Sequence, residues 1–282
     1  MTHTNQRSAW RSLRRGLATL ALALGGLALA GGAQAQGIAG TGHDLTSAAE
    51  GREGALGEIC VYCHTPHGGD TDASAPLWNR TMTDNIDQRY SALGTVTLQG
   101  EEAPVGSVSL ACLSCHDGGQ AMDTVINAPG RGLGDTSGND TFMLNDQDST
   151  NEIAMRGTDL RDDHPISIQF CGGGITSTGG ASVGTCADPD YNAPQFDTIN
   201  GNDIWWLDSG IGATGTRQRT DIFLYSRDDF PTDAGTLQPA VECGSCHDPH
   251  VNSYSETAGS ESVNFMRFSN AESAVCLTCH NK

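Results

Sequence analysis

Cys60-Val-Tyr-Cys63-His64 opens a phrase that the chain repeats three more times, as Cys112-Leu-Ser-Cys115-His116, Cys243-Gly-Ser-Cys246-His247 and Cys276-Leu-Thr-Cys279-His280. A bare Cys-x-x-Cys serves zinc ribbons, disulfides and thiol redox pairs alike. The fifth residue separates these uses. Histidine makes up 9 of the 282 residues, so finding it after all four pairs by chance has a probability on the order of one in a million, whereas covalent haem attachment requires it. In that chemistry two thiols form thioethers to the haem vinyl groups and the adjacent imidazole ligates the iron. The phrases predict four haem c groups held by Cys60, Cys63, Cys112, Cys115, Cys243, Cys246, Cys276 and Cys279, with His64, His116, His247 and His280 as ligands on one face.

A second count complements the first. Outside the four phrases, and apart from His3 near the N-terminus, the histidines are His43, His67, His164 and His250. Four irons need four further ligands to be six-coordinate, and four histidines are left, so bis-histidine ligation is expected throughout, with methionine as the other familiar ligand type. His67 and His250 follow His64 and His247 by three residues, in the matching phrases Cys-His-Thr-Pro-His and Cys-His-Asp-Pro-His. Imidazoles on opposite faces of one haem have Cα atoms roughly 12–13 Å apart, while three residues span at most about 10–11 Å. Neither can serve the haem of its own phrase, so each must reach a different one and draw two macrocycles together.

The first 35 residues address location. Arg7, Arg11, Arg14 and Arg15 precede an apolar run from Leu17 to Ala30, and Ala33-Gln-Ala35 follows as a small-residue cleavage pattern. The run is shorter than a membrane span, so residues 1–35 read as a secretory signal cleaved after Ala35. The expected product is secreted, extracellular or on the cell surface, with the periplasm as the alternative, and no later run spans a membrane. All 34 acidic residues and 11 of the 15 basic ones lie beyond that site, leaving a formal charge of −23 with Lys282 the one lysine. Such a surface disfavours nucleic acid and anionic membranes and suits basic redox partner proteins; it also simply keeps a secreted chain soluble.

Composition bounds the fold. Hydrophobic residues are 37 % and aromatics 6 %, against 36 glycines, a thin supply for a side-chain core of this length. The expected class is mostly coil with few short helices and a small β-hairpin, a haem-cored multihaem cytochrome. Short helices are expected at Ala111–Asp117 and Ser273–His280. Residues 36–135 hold a first two-haem module and 241–282 a second two-haem segment. Each half runs in the order distal His, Cys-x-x-Cys-His-x-Pro-His, Ser-x-x-Cys-Leu-x-Cys-His, a weak internal repeat in which a module has enough histidines to ligate itself. The insertion 136–240 is rich in Gly and Asp; it contains His164, a hairpin expected from Asp203–Asp208 and Asp221–Ser226, and the two cysteines outside the phrases. Bridging Cys171 and Cys186 would close a Gly-rich loop in an oxidising compartment and contribute roughly 3 kcal/mol. Trp205 and Trp206 are expected in the core, with packing on a haem as the alternative. Asp70-x-Asp72-x-Ser74 starts like a calcium loop but has Ala75 and Thr81 where Gly and Glu belong, so it reads as a solvated acidic loop.

Gly42-His43-Asp44-Leu45, Cys60-x-x-Cys63-His64-Thr-Pro-His67, Pro76-Leu-Trp78-Asn79, Cys112-Leu-Ser-Cys-His-Asp117-Gly118, Asp163-His164-Pro165-Ile166 and Cys243-Gly-Ser-Cys-His-Asp-Pro-His250 together resemble the OmcE-like tetrahaem outer-surface cytochromes of metal-reducing bacteria. The resemblance covers most of the chain at its motifs, though not the insertion around Cys171 to Asn202. It implies proximal ligands at His64, His116, His247 and His280, distal ligands at His43, His67, His164 and His250, and a nanowire-type filament of head-to-tail subunits. In such a homopolymer a histidine from one subunit can ligate a haem of the next, and His43, near the free N-terminus, is the candidate here. With every iron capped, electron transfer rather than enzymatic turnover is expected. A multihaem reductase would need one open iron, and a monomeric periplasmic shuttle or docking subunit needs no polymer.

Overall fold

Trp205 and Trp206 occupy successive positions of one strand and so face opposite sides of it, yet both are buried. A strand covered on both faces belongs inside a layered structure, and the computed structural model places it there. It describes residues 38–39, 41–46, 56, 58–82, 86, 88–122, 124–128, 132–133, 155–251 and 265–282, all within one compact unit spanning 38–282. The expected signal segment 1–35 lies outside the described residues.

The strands are β1 (Asn127–Ala128), β2 (Gly132–Leu133), β3 (Ile168–Gln169), β4 (Ile175–Thr178), β5 (Ala181–Gly184), β6 (Gln195–Ile199), β7 (Asn202–Leu207), β8 (Ile222–Arg227) and β9 (Gln238–Val241). The expected hairpin is present as β7 and β8, with Trp205 opposite Leu224 and Leu207 opposite Ile222. It is not a small isolated hairpin, however: it forms the middle of a five-stranded sheet of order β3-β9-β8-β7-β6, antiparallel at every pairing. Strand β6 joins through a two-residue turn, Asn200-Gly201, in which both residues have positive φ (51° and 80°), the arrangement that matches the twist of a hairpin. Gly179-Gly180 makes the corresponding turn between β4 and β5. These strands escape a pattern search because they carry little apolar alternation; β5 is exposed along its length and β6 nearly so.

The main core lies on one face of the sheet, where Trp205, Leu207, Ile222 and Leu224 meet Phe170, Ile175, Phe268 and Val275. Trp205 packs on Phe196 of β6 with ring centroids 5.2 Å apart, and its indole N–H donates to Ser182 Oγ on β5. On the opposite face Phe223 lies beneath two guanidiniums, Arg217 and Arg267, at 4.4 and 3.7 Å. The Cys171–Cys186 bridge is formed, with Cα atoms 5.3 Å apart. Its loop returns through Asp188 N–H to Cys171 O.

Helices are few and short: α1 (Ser107–His116), α2 (Cys243–Cys246) and α3 (Ala274–Cys279). The chain is otherwise coil, turns and isolated bridges. The residues before the insertion have smaller apolar clusters, one of Leu45, Leu56, Tyr62, Met122, Val125 and Ala128 and another of Ala73, Trp78 and Ala111. Buried polar side chains knit this part together. Asn79 donates to Val61 O and Asn127 O, and the fully buried Arg80 donates to the carbonyls of Met122, Thr124, Ser114 and Ala121.

Candidate haem-binding sites

Each Cys-x-x-Cys-His phrase sits at the end of a helix or helical turn, where residues i, i+3 and i+4 share a face. Cys112, Cys115 and His116 close α1; Cys243 and Cys246 form α2 with His247 as its cap; Cys276 and Cys279 belong to α3 with His280 as its cap. Cys60 lies in the 3₁₀ turn Ile59–Tyr62, followed by Cys63. The same backbone bond, from the His N–H to the carbonyl of the first Cys, closes three of the phrases: His64 to Cys60 at 2.8 Å, His247 to Cys243 at 3.1 Å and His280 to Cys276 at 2.8 Å.

The sheet region holds two of these phrases directly. Helix α2 is wedged against β8 and α1 so closely that a Cβ at Gly244 would come within 2.2 Å of Tyr225 Oη. The buried carboxylate of Glu242, just before Cys243, accepts hydrogen bonds from Ser109 Oγ on α1 (2.5 Å), Ser167 Oγ (3.2 Å) and Arg227 Nη1 on β8 (2.8 Å). Ser109 Oγ in turn accepts the Cys243 N–H. The chain after the disulfide loop grips α3, with Asn192 Nδ2 donating to Leu277 O and Thr278 O and its N–H to Cys279 O.

None of the eight motif cysteines is in a disulfide. Burial pushes the thiols of Cys63 and Cys279 up to about 12 and that of Cys246 to about 11, the opposite of the activated thiolate that thiol exchange uses. Cys112 is raised as well, through its hydrogen bond to Cys243 and then burial, while Cys243 is lowered as that bond's acceptor. A structural zinc site needs four converging ligands; among the described residues no group of three or more His, Cys, Asp or Glu side chains converges.

The histidines converge in twos. Imidazoles on opposite sides of one metal, with bonds of about 2 Å, have ring centroids roughly 6.3 Å apart. His64 and His250 lie 6.0 Å apart with rings inclined by 15°, and His43 and His116 lie 6.1 Å apart at 68°. His280 is lowered below the ordinary histidine pKa first by burial and then by the field of His164. The stretches His64–His67 and His247–His250 are equal in length, and His64 faces the far end of the second.

Ring orientation is fixed behind the ligands. His64 Nδ1 contacts Pro76 O at 2.8 Å, His164 Nδ1 contacts Pro165 O at 2.9 Å and His43 Nδ1 lies 3.5 Å from Pro249 O. His250 Nδ1 lies 3.4 Å from Asp248 Oδ1. A ring that donates through Nδ1 presents Nε2 as the ligand. Two further features suit a group that brings carboxylates. The buried indole N–H of Trp78, whose ring meets His64 edge-on at 5.9 Å, has no partner, and among the described residues no carboxylate pairs with buried Arg80, whose Nε is also without a partner. The residues present therefore fit haem c.

Within the chain His43 lies beside His116, where the turn His43–Leu45 is anchored by Leu45 in the first apolar cluster and by the stack of His43 on Phe265 at 4.0 Å. The closely placed His64 and His250 come from different halves. The Asp70 carboxylate caps the backbone N–H of Asp72 and faces that of Met82. No helix among the described residues is long and apolar enough to cross a membrane. Neither a protein-family model nor a curated protein sequence matches this chain, so the functional reading rests on these sites.

Proposed function

We propose that this protein is an exported tetrahaem c-type cytochrome that conducts electrons and performs no substrate chemistry. Haem c supplies a reversible one-electron iron couple. The chain contributes eight thiols for covalent attachment, eight imidazoles for ligation and the hydrogen-bonded carbonyls and carboxylate that aim them. The observation that carries the reading is the pairing of His64 with His250 and of His43 with His116 at the separation two imidazoles adopt across one metal. Occupying both axial positions denies small molecules access to the iron and leaves outer-sphere transfer as the available chemistry. His64 and His250 lie on phrases from opposite halves, which supports one continuous relay across them. Outside the cell, the acidic surface suits basic redox partners.

The motif phrases also support assembly into a head-to-tail extracellular filament. Carbon monoxide added to the reduced, haem-loaded protein tests the reading: an unchanged visible spectrum is expected, whereas a carbonyl complex at any iron would favour a reductase with an open position. Electron microscopy of the sedimentable fraction shed by exporting cells tests assembly. Thin filaments of this subunit are expected; a fraction without them, with the protein sizing as a monomer, would favour a shuttle.

A further inference from the structure

The two matching phrases differ at one position. Thr65 follows His64 in the first, and Asp248 follows His247 in the second. Thr65 is buried and neutral, and its Oγ donates to the backbone carbonyl of His67. Asp248 points its carboxylate at the corresponding distal histidine: Oδ1 accepts the backbone N–H of His250 at 3.0 Å and lies 3.4 Å from that residue's Nδ1. Backbone carbonyls face the Nδ1 atoms of His43, His64 and His164, whereas the group 3.4 Å from His250 Nδ1 is a carboxylate. The positive field of Arg267 reaches Asp248, but the Arg267 guanidinium donates to the carbonyls of Gly244 and Arg219 and leaves the carboxylate directed at His250.

An imidazole that donates to a carboxylate is a more basic ligand than one that donates to a carbonyl, and a more basic ligand favours the oxidised metal. We propose that Asp248 is a positioning residue that lowers the reduction potential of the iron held by His64 and His250, relative to the same iron without that carboxylate. The inference rests on the tetrahaem reading. It makes the Thr-for-Asp difference between the two phrases functional.

The test is a spectropotentiometric titration of the purified, haem-loaded protein as wild type, Asp248→Asn and Asp248→Thr, with haem content and spin state measured on each. Asn retains a side-chain acceptor for the His250 N–H without the charge, and Thr copies the first phrase. The expected result is an upward shift of one of the four midpoint potentials in both variants, with four low-spin haems and the other three potentials in place. Four unchanged potentials, or a common shift of all four, would overturn the role of Asp248. A wild-type protein without four bis-histidine haems would instead overturn the reading beneath it, and is recognised before any variant is compared.

Discussion

The sheet between Ile168 and Val241 shares a large apolar core with Phe268 and Val275 and has a disulfide, whereas the segment bearing the first two motifs depends on small clusters and on Asn79 and Arg80 hydrogen-bonded to carbonyls. The difference shows how a chain poor in apolar residues divides its labour. The insertion, its core completed by Phe268 and Val275, acts as the platform that fixes α2 through Glu242 and Gly244 and α3 through Asn192. The first segment has cysteines and histidines where a core would otherwise be, and a buried guanidinium that meets no carboxylate among the described residues. Its order should therefore depend on the cofactor far more than that of the sheet.

The largest expected effect comes from withholding the haems. With both cysteines of all four motifs changed to alanine, hydrogen exchange is expected to show residues 58–82 and 107–128 losing protection while the amides of β6, β7 and β8 keep theirs. Loss of both regions together would break the comparison. Truncating the sheet core should do the reverse. Trp205→Ala removes a side chain buried to 1 % exposure and is expected to cost about 3–5 kcal/mol in chemical denaturation followed by β-sheet circular dichroism, with haem content retained.

Glu242 joins the two regions. Glu242→Ala would leave Arg227 without its fully buried partner and Ser109 and Ser167 without their acceptor, at a cost of roughly 3–5 kcal/mol; glutamine should recover part of it. A denaturation midpoint close to wild type would show that the regions are not coupled there. Removing the disulfide with the pair Cys171→Ser and Cys186→Ser should cost about 3 kcal/mol in the chain-entropy account, measured as a denaturation shift that reduction of the wild type reproduces. The smallest expected effect is at the β6–β7 turn. Asn200 sits at φ 51°, and Asn200→Ala should cost about 1 kcal/mol by placing a residue without a compensating polar side chain in the left-handed region.

The sites were far more legible in the sequence than the fold around them. Cys-x-x-Cys-His states its chemistry at fixed spacing, the histidine tally anticipates pairs, and three residues of chain exclude His67 from His64's partner site by length alone. The pairing itself was hidden because long-range contacts such as His64 with His250 depend on how the sheet and α1 seat α2, which no local pattern records. The placement of His43 within the chain was hidden for the same reason: its position near the N-terminus said nothing of Leu45 and Phe265, which hold it beside His116. Two parts of the sheet were signalled and overlooked. Asn200-Gly201 and Gly179-Gly180 are hairpin turns by their residue types, but their flanking strands are too exposed and too polar to register as strands. Arg80 carries no motif and Trp78 belongs to a phrase that does not state its role; their unpartnered nitrogens become visible only once burial is known.

The central claim is that eight histidines of a single chain, in four pairs, hold four haems. Near-infrared magnetic circular dichroism and electron paramagnetic resonance of the monomeric, haem-loaded protein, alongside its intact mass, test it most directly. Four covalent haems, all low-spin with two histidines per iron and no contribution from a second subunit, are predicted. A mass without four haems, or a high-spin or histidine–methionine signal from any iron in the isolated monomer, would contradict it.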